Sequence, residues 1–387
     1  MRVGKPKVIS PPLSLYIHIP WCVRKCPYCD FNSHAVKQGL PEQAYVDALL
    51  NDLSLDSKLT DGRQLSSIFI GGGTPSLFSS TAIARLLQGI ERRFAFAKSM
   101  EITLEANPGA VEADSFAGYR QAGVNRLSLG FQSLQSSMLQ ALGRIHSPQE
   151  AQDAFAQARK AGFDNINIDL MFGLPEQTLT MAEADLAAAI ELDSEHLSYY
   201  QLTLEPNTPF HHVPPAVPDD EQLWLMQQQG MELLANAGYS HYEVSAYARQ
   251  GRECRHNMNY WRFGDYLGIG AGAHAKLSLA DGRVKRFWKQ RHPDAYLAAD
   301  KTSGFIQGER LLAEEDLVVE FMMNALRLLE GVELNLFECR TGVGLQQIET
   351  ALQQAVEREL LQPVEQRLCA SSLGQRFLND LISLFSS

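Results

Sequence analysis

The amino-acid sequence predicts an α/β protein in which a partial (β/α)6 open barrel precedes a smaller, mainly helical C-terminal domain of winged-helix-like type. Two observations lead to this fold class. Short apolar runs alternate with longer helical patterns six times between residues 13 and 246, which indicates parallel strands joined by right-handed crossovers. Most of these runs also alternate between apolar and polar residues, whereas parallel strands buried on both faces read as continuous aliphatic runs. The apolar face suits a layer of outer helices, and the polar face suits a ligand-binding interior.

The strand–helix units follow one another in regular order. The strands are expected near residues 13–19, 66–70, 100–106, 125–131, 165–171 and 196–204, and the helices near 41–58, 79–93, 112–122, 148–160, 178–192 and 219–237. In the first strand the leucines and isoleucines fall on one face, and Ser14, Tyr16 and His18 fall on the other. Because side chains in a strand alternate with a period of two, we expect the polar residues inside the barrel.

The chain is predicted to have three parts. Residues 1–246 form the barrel, residues 247–310 form a Gly-rich and aromatic extension, and residues 311–387 form helices around a short hairpin near 360–370. Winged helices often bind DNA, but this tail has no dense basic stripe and the whole chain carries a net charge of −11. A negative surface repels phosphate backbones, so a structural or protein-contact role is favoured and nucleic acid is not an expected partner.

The composition indicates a cytoplasmic protein. The first residues carry Arg2, Lys5 and Lys7 but reach Pro11 and Pro12 without an apolar core, so no secretory signal peptide is expected. No uninterrupted run of eighteen apolar residues occurs, which argues against a membrane span. The cytosol keeps thiols reduced and suits oxygen-sensitive clusters. The sequence makes no prediction of the oligomeric state.

Cys22, Cys26 and Cys29 form a C-x3-C-x2-C loop directly after the first predicted strand. Three thiolates can hold a four-iron cluster and leave one iron without a protein ligand, and that open iron invites a small molecule. Structural zinc is the first alternative, but it needs four ligands, and the nearest histidine is His34. A disulfide framework is the second alternative, but six cysteines in 387 residues without a signal peptide are not typical of one. The spacing therefore favours a [4Fe–4S] cluster.

A glycine run, Gly71-Gly72-Gly73-Thr74-Pro75, follows the second predicted strand. A phosphate-binding loop would need Gly-Lys-Ser/Thr after its glycines, and no lysine follows here. A plain tight turn would not need three successive glycines. Glycines at the end of a barrel strand allow backbone atoms to approach a ligand closely, which is the interpretation we favour.

The order C-x3-C-x-Tyr-C resembles the signature of the radical S-adenosylmethionine superfamily, whose fold is a six-unit partial barrel. The resemblance implies that the amino and carboxylate groups of S-adenosylmethionine chelate the open iron, and that an electron from the reduced cluster cleaves the sulfonium to a 5′-deoxyadenosyl radical. It also implies cofactor contacts from residues at successive strand ends, namely Tyr16, Tyr28, Gly72, Gly73, Thr74, Glu105, Gln132, Arg144 and Asp169. Glu105 would accept hydrogen bonds from the ribose, and Arg144 would pair with a carboxylate.

Within that superfamily the chain resembles the oxygen-independent coproporphyrinogen III dehydrogenase group through residues 16–22, 71–75 and 131–133. The dehydrogenases have a further cysteine two positions beyond the triad, where this chain has Phe31. The sister branch of heme chaperones has C-x3-C-x2-C-x-Phe and a later H-N-x-x-Y-W motif, which is present here at residues 256–261. The resemblance therefore implies binding of heme and its transfer to an unidentified acceptor protein. Oxidative decarboxylation of coproporphyrinogen III is the alternative, so the resemblance leaves open whether the chain is an enzyme.

His256 is the candidate heme ligand, because neutral imidazole commonly binds heme iron and the neighbouring Tyr260 and Trp261 could cover a porphyrin face. A hydrogen-bonded turn histidine is the alternative, and the pair His211-His212 and Cys254 are further candidates. A basic run at 283–291 is either a solvated turn and strand or a patch for an anionic ligand, such as heme propionates, or for a membrane surface. A patch that contacts a membrane surface would suit a membrane-associated acceptor protein.

Overall fold

The computed structural model describes residues 10–36, 39–108 and 116–386. The strands are β1 (Leu13–Ile19), β2 (Trp21–Cys22), β3 (His34–Ala35), β4 (Leu65–Gly72), β5 (Phe96–Ala106), β6 (Arg126–Gln132), β7 (Ile166–Phe172), β8 (His196–Gln201), β9 (Ser240–Glu243), β10 (Ala246–Ala248), β11 (Asp265–Ile269), β12 (His274–Ser278), β13 (Val284–Lys289), β14 (Ile306–Leu311), β15 (Val332–Glu333) and β16 (Arg367–Leu368).

The helices lie mainly between the strands of the barrel and in the C-terminal region. They are α1 (Glu42–Asp56), α2 (Ser80–Glu91), α3 (Phe116–Ala122), α4 (Ser136–Ala141), α5 (Pro148–Lys160), α6 (Leu179–Glu191), α7 (Pro209–His212), α8 (Asp220–Asn236), α9 (Arg255–Trp261), α10 (Pro293–Ala298), α11 (Glu314–Ala325), α12 (Asn335–Thr341), α13 (Glu349–Glu357), α14 (Ser372–Arg376) and α15 (Leu378–Ser383). Three short 3-10 turns cover Ser57–Leu59, Pro75–Leu77 and Leu345–Gln347.

Within the described residues, twelve strands form one sheet in the order β14-β13-β12-β11-β1-β4-β5-β6-β7-β8-β10-β9. Strands β1 and β4 to β8 are parallel neighbours, which confirms the six-strand parallel barrel. Strand β11 adds a seventh parallel strand beside β1, and β12, β13 and β14 continue from it in antiparallel pairs. The predicted barrel is therefore one part of a longer sheet.

The alternation of residues along the strands produces the two faces that the sequence predicts. Leu13, Leu15 and Ile17 are fully buried in the main hydrophobic core, which lies between the sheet and its helices. The opposite face carries Tyr16 and His18, which line an internal pocket. Burial of the aliphatic face holds the helices on the outside and leaves the polar face for ligands.

Local signals place the helix starts close to the predicted positions. Ser147 caps α5 by accepting a hydrogen bond from the Glu150 amide, the Glu150 carboxylate accepts one from the Ser147 amide, and Pro148 occupies the first turn. Asp219 forms an equivalent box with Gln222 at the start of α8. Only residues 116–122 of the helix predicted at 112–122 are described, and 112–115 lie outside the described residues.

Two parts of the sequence prediction were wrong in detail. Strand β8 ends at Gln201 rather than at residue 204, because the chain then turns towards Pro206, which has no amide proton for a sheet. Residues 265–311 form four strands that the Gly-rich pattern concealed. The glycines permit close packing there, since a Cβ at Gly268 or Gly270 would collide with the backbone of His274 or His18.

The C-terminal region has a second hydrophobic core, built mainly by α11, α12, α13 and α15 around Phe321, Phe337 and Leu381. An isolated bridge between Leu361 and Ala370 closes the hairpin that the sequence predicts. Strand β16 in that hairpin pairs with β15, so the small sheet is formed by segments that are distant in sequence. In the part of the chain that the structure describes, no helix is long and apolar enough to cross a membrane.

Candidate functional site

The cysteine loop lies at the carboxyl end of β1, where parallel barrels carry their sites. Strands β2 and β3 pair with each other, and the His34 amide donates to the Pro20 carbonyl at 2.7 Å. The Val36 amide donates to the Cys22 carbonyl at 2.9 Å, and the Cys29 amide donates to the Cys26 carbonyl at 3.2 Å. These bonds close the loop on itself and bring all three predicted cysteines to one cavity.

All six cysteines lie within the described residues and are free thiols. Burial raises the pKa of Cys22 and of Cys29, and the Arg144 guanidinium lies 3.9 Å from Cys26 Sγ. Among the described residues, no three His, Cys, Asp or Glu side chains are arranged as the ligands of one ion. A cubane makes a different demand, because each of its thiolates binds a different iron atom. Three free thiols around one cavity, with the Arg144 guanidinium beside them, suit the thiolate ligands of a [4Fe–4S] cluster.

Gly72 and Gly73 pack against the segment that leads into the cysteine loop. Gly72 has a φ of +117°, and a Cβ there would lie 2.6 Å from the His18 ring. A Cβ at Gly73 would lie 2.5 Å from the Trp21 carbonyl oxygen, directly before Cys22. The Thr74 amide donates to that same carbonyl at 2.7 Å. The glycine run is thus needed for packing against the cysteine-bearing strand as well as for access to the cavity.

The cavity beside the cysteines has a volume of about 460 Å³. It brings together most of the residues predicted to contact the cofactor: Cys22, Cys26, Tyr28, Cys29, Gly72, Gly73, Thr74, Glu105, Gln132, Arg144 and Asp169. Residues from five neighbouring parallel strands or their following loops therefore meet at one end of the barrel. Tyr16 and His256 do not line this cavity and belong to a second pocket described below.

Two buried carboxyl groups lie on the cavity wall. Burial, and then the negative charge of Asp169, raise the pKa of Glu105 to about 8, although the Gly72 amide donates to Glu105 Oε2 at 3.0 Å. Burial also raises the pKa of Asp169, which accepts hydrogen bonds from Asn167 and Ser128. Glu105 is therefore mainly protonated at neutral pH, and a ligand that donates hydrogen bonds would favour its ionised form.

The other polar groups of the cavity are already oriented by hydrogen bonds. Arg144 donates to the Gly130 carbonyl and to Asn107 Oδ1, both at 2.7 Å. Gln132 has a left-handed φ of 68° and accepts from the Tyr200 hydroxyl at 2.8 Å. A strained non-glycine residue is often found at a functional site, where the surrounding contacts hold it in place.

Asn107 lies on the polar strand face that the alternation predicts to line the cavity, but it was not named among the site residues, and Tyr200 was missed. Asn107 follows Glu105 by two positions and so shares its face of the strand, and this alternation was a usable signal. Tyr200 lies on β8, where the same alternation would have placed it inward. The side-chain Nδ2 of Asn107 also donates to Thr74 Oγ1 at 2.9 Å, which joins two of the strand ends.

A second and larger pocket, of about 1060 Å³, adjoins the first. Its walls are aromatic and basic, and include Tyr16, Phe69, Tyr260, Trp261, Tyr266, Lys276, Arg286, Trp288 and Arg291. Asp30, Phe31, Gly72 and Glu105 line both cavities. Phe31 is 56% exposed and occupies the boundary between them. Strands β11 and β12, which the sequence pattern did not predict, supply one wall together with β13.

His256 lines this pocket but has little freedom to act as a ligand. Its side chain is 1% exposed, Nδ1 lies 3.0 Å from Ser67 Oγ, and Nε2 lies 2.9 Å from the Tyr260 hydroxyl. Burial, and then the positive charge of Arg126, lower its pKa to about 3, so the ring is neutral. Both nitrogens are thus occupied, and the geometry matches the hydrogen-bonded alternative rather than iron ligation.

The two other candidate ligands lie outside the large pocket. His211 and His212 end α7, whose Phe210 amide donates to the Pro27 carbonyl at 3.1 Å beside the cysteine loop. Cys254 is buried next to Glu101, and burial raises its pKa to about 12. Neither group faces the space where a porphyrin could lie.

The basic run contains a strand, as the first alternative predicts, but that strand is partly buried rather than solvated throughout. Lys289 is 1% exposed, lies 2.7 Å from Asp56 Oδ2 and also contacts Asp52. Arg286 and Arg291 line the large pocket, which Lys289 also borders. Arg286 pairs with Glu320 at 2.7 Å, whereas the Arg291 side chain has no carboxylate partner among the residues that the structure describes.

Comparison with known proteins agrees with this arrangement. A model of the radical SAM superfamily matches residues 16–189, and a model of the HemN C-terminal domain matches residues 312–377. The chain is 50% identical to the heme chaperone HemW of Escherichia coli over 380 residues, covering 97% of this chain and 98% of that protein. It is also 50% identical to heme chaperone HemW of Haemophilus influenzae over 379 residues, with the same coverage.

More distant proteins give the same result. Heme chaperone HemW of Bacillus subtilis is 34% identical over 386 residues, covering 96% of this chain and 98% of that protein. The solved structure of coproporphyrinogen III oxidase (HemN) from Escherichia coli has a TM-score of 0.82 at 23% identity, covering 98% of this chain and 91% of that chain. At that identity the likeness shows the fold alone. The chain therefore belongs to the radical SAM superfamily and, within it, to the family of the heme chaperone HemW.

Proposed function

We propose that this protein is a heme chaperone, which binds heme in the large pocket and passes it to an acceptor protein. The observation that carries the proposal is the large aromatic and cationic pocket beside the cysteine cavity. Its volume of about 1060 Å³ is at the upper end of the roughly 300–1,000 Å³ typical of ligand sites, which suits a flat macrocycle. The chain matches relatives named as heme chaperones over nearly their whole length, and this match supports the same function.

Membership of the radical SAM superfamily implies a [4Fe–4S] cluster and S-adenosylmethionine. We assign the cluster to Cys22, Cys26 and Cys29, whose thiolates leave the fourth iron open. When bound, the reduced cluster supplies an electron that can cleave the sulfonium of S-adenosylmethionine.

The cavity walls supply the groups that would hold S-adenosylmethionine. Gly72, Gly73 and Thr74 border the methionine end near the cysteines, and Arg144 can pair with its carboxylate. Glu105 can accept hydrogen bonds from the ribose hydroxyls. These bonds would favour the ionised carboxylate, whereas without a ligand burial favours the protonated carboxyl group at neutral pH. Gln132 and Asp169 complete the polar wall, and Tyr28 closes the side next to Cys26 and Cys29.

The large pocket supplies the groups that would hold heme. Tyr16 stacks on Phe69 at a ring distance of 6.3 Å, and Tyr260 meets Tyr266 edge to face at 4.5 Å, so flat apolar surfaces surround the space. The guanidinium of Arg291 is available to a propionate. His256 stays in the proposal as part of the wall, since its hydrogen bond to Tyr260 fixes that ring.

Phe31 separates the chaperone proposal from the enzyme alternative. It stands where the dehydrogenases of the group have a further cysteine, so it adds no thiol to the boundary between the cavities. Decarboxylation of coproporphyrinogen III is therefore the weaker alternative. The proposed location is the cytoplasm. The proposed acceptor is a protein that is either soluble or associated with a membrane.

The test uses the full-length protein with its cluster reconstituted under anaerobic conditions. One sample receives hemin, and we expect a Soret band that saturates near one equivalent. A second sample receives coproporphyrinogen III, S-adenosylmethionine and a reductant, and we expect no protoporphyrinogen above the level without protein. Rapid protoporphyrinogen formation, or failure to bind hemin, would reject the chaperone function.

A further inference from the structure

The inner wall of the barrel continues without interruption into the edge strands. Tyr16 on β1 is in register with Gly268 on β11, and Tyr266 on β11 is in register with Lys276 on β12. His274 on β12 is in register with Trp288 on β13. Because residues in register share a face of the sheet, His274 and Trp288 lie on the same surface as Tyr16. This surface is the floor of the large pocket.

Three histidines line that pocket, and two of them are fully engaged. His18 Nδ1 lies 3.0 Å from the Tyr16 hydroxyl, and its Nε2 lies 2.8 Å from the Asn32 carbonyl oxygen. His256 is engaged through both nitrogens, as described above. His274 differs, since neither of its ring nitrogens has a hydrogen-bond partner in the described part of the chain, and its side chain is exposed to the pocket.

The surroundings of His274 fix its ring without using its nitrogens. The ring is near-parallel to the Trp288 indole, with 26° between the planes and 6.2 Å between the centroids. The indole in turn lies against Gly308, where any Cβ would collide with it. Partial burial, and then the charge of Arg286, lower the pKa of His274 and favour the neutral imidazole that iron binds.

The remaining donor groups of the pocket are less suitable as iron ligands. No cysteine or methionine is among the residues that line it. The Tyr260 and Tyr266 hydroxyls are bonded to His256 and Arg286, and Lys276 Nζ is held by Asp265 at 3.4 Å. Arg291, whose side chain has no carboxylate partner among the described residues, lies on the same wall, where a propionate could reach it.

We propose that His274 is the protein ligand of the heme iron, with Trp288 as a flat support beside it and Arg291 as the partner of a propionate. This assignment rests on the proposed heme-binding function and specifies the residue through which it acts. It replaces His256, which keeps a structural role in the wall.

The experiment titrates hemin into the full-length protein and into His274→Ala, His256→Ala and His212→Ala, with absorption and electron paramagnetic resonance as readouts. His212 is an exposed histidine outside the pocket and serves as the control. We expect His274→Ala to lose the imidazole-ligated spectrum, and to bind hemin at least about tenfold more weakly, the lower end of the loss seen when a metal site loses a supporting partner. Added imidazole should restore the ligated spectrum, whereas His256→Ala and His212→Ala should retain it.

A second pair of variants tests the propionate contact. Arg291→Gln should weaken hemin binding without changing the ligation spectrum, and Arg92→Gln, which replaces an exposed arginine that does not line the pocket, should bind as the parent does. A His274→Ala spectrum identical to the parent would overturn the ligand assignment while leaving the chaperone function intact. Absence of hemin binding by the parent protein would overturn the proposed function itself, and the assignment with it.

Discussion

The thiols of Cys22, Cys26 and Cys29 differ from the other three cysteines in what surrounds them. They lie around an open cavity, with Arg144 beside Cys26. Cys254 faces Glu101 in the core, and the Cys369 thiol donates to the Leu329 carbonyl at 3.1 Å. The three cysteines that the sequence spacing groups together are the ones that share this cavity, and their role as cluster ligands remains a prediction.

Replacing any one of Cys22, Cys26 or Cys29 by serine is expected to remove the cluster almost completely, because a cubane with an open iron has no spare protein ligand. The measurements are iron and sulfide content and the broad visible absorbance after anaerobic reconstitution. Far-ultraviolet circular dichroism should stay unchanged, since the loop lies outside the main core. The half-buried Cys339 is the matched control, and Cys339→Ser should keep its full iron content. Full iron content in one of the three variants would disprove the ligand assignment.

At the scale of elements, β13 is tied to α1 by a buried ion network. Lys289 contacts Asp52 and Asp56, which are one helical turn apart, and the Tyr296 hydroxyl donates to Asp52 at 2.7 Å. Burial raises the pKa of Asp56 to about 7, even though Lys289 opposes the shift. The network therefore fixes the strand that carries Arg286 and Trp288 against the barrel.

Lys289→Met is expected to lower the free energy of unfolding by about 3–5 kcal/mol at neutral pH, because it leaves two buried carboxyl groups without their cation. Those groups then hold protons more tightly in the folded than in the unfolded state, so stability falls as pH rises. The deficit should consequently widen above pH 7 and narrow below it. Urea unfolding at pH 6 and pH 8 measures both effects. Lys285→Met is the control, because its pair with the exposed Glu309 should contribute less than about 1 kcal/mol. Equal losses in the two variants would contradict the account.

This network also explains why the extension was not recognised as sheet from its sequence. In residues 284–289 the inward positions toward the core are Phe287 and Lys289, and a lysine at a buried position hides the alternation. Its carboxylate partners lie on α1, far away in sequence, and no local pattern announces such a pair. The six barrel strands could be predicted because their apolar faces alternate locally. For the same reason the cysteine cavity was largely predicted, and the large pocket was not.

At the scale of the whole molecule, the core of the C-terminal helices extends onto the sheet through Phe263 and Val284, and a polar contact lies beside that apolar junction. Arg327 pairs with Glu243 at 2.8 Å and lies 4.3 Å over the Trp261 ring. Glu243 is only 4% exposed in its side chain, so this end of the ion pair is largely shielded from water. The junction connects α11 with the H-N-x-x-Y-W helix, α9. Boundaries of independent units at residues 246 and 310 remain predictions.

Arg327→Ala is expected to destabilise the protein by about 2 kcal/mol, below the value for a fully buried pair because Arg327 is partly exposed. The loss should also loosen the C-terminal helices, so limited proteolysis should cut between residues 312 and 387 faster than in the parent. Arg283→Ala, which removes an exposed pair with Asp281, is the matched control and should change neither measurement. An unchanged cleavage rate in Arg327→Ala would place the coupling of the two cores elsewhere.

One partition, made by Asp30, Phe31, Gly72 and Glu105, belongs to both cavities. Two ligands that both contact this partition are energetically coupled whenever the binding of either one shifts it. Thermodynamics then requires symmetry: whatever factor the nucleotide imposes on the affinity for the macrocycle, the macrocycle imposes on the affinity for the nucleotide. Within the proposed function, a ligand bound in one cavity therefore changes the affinity of the other cavity for its own ligand, whichever ligand binds first.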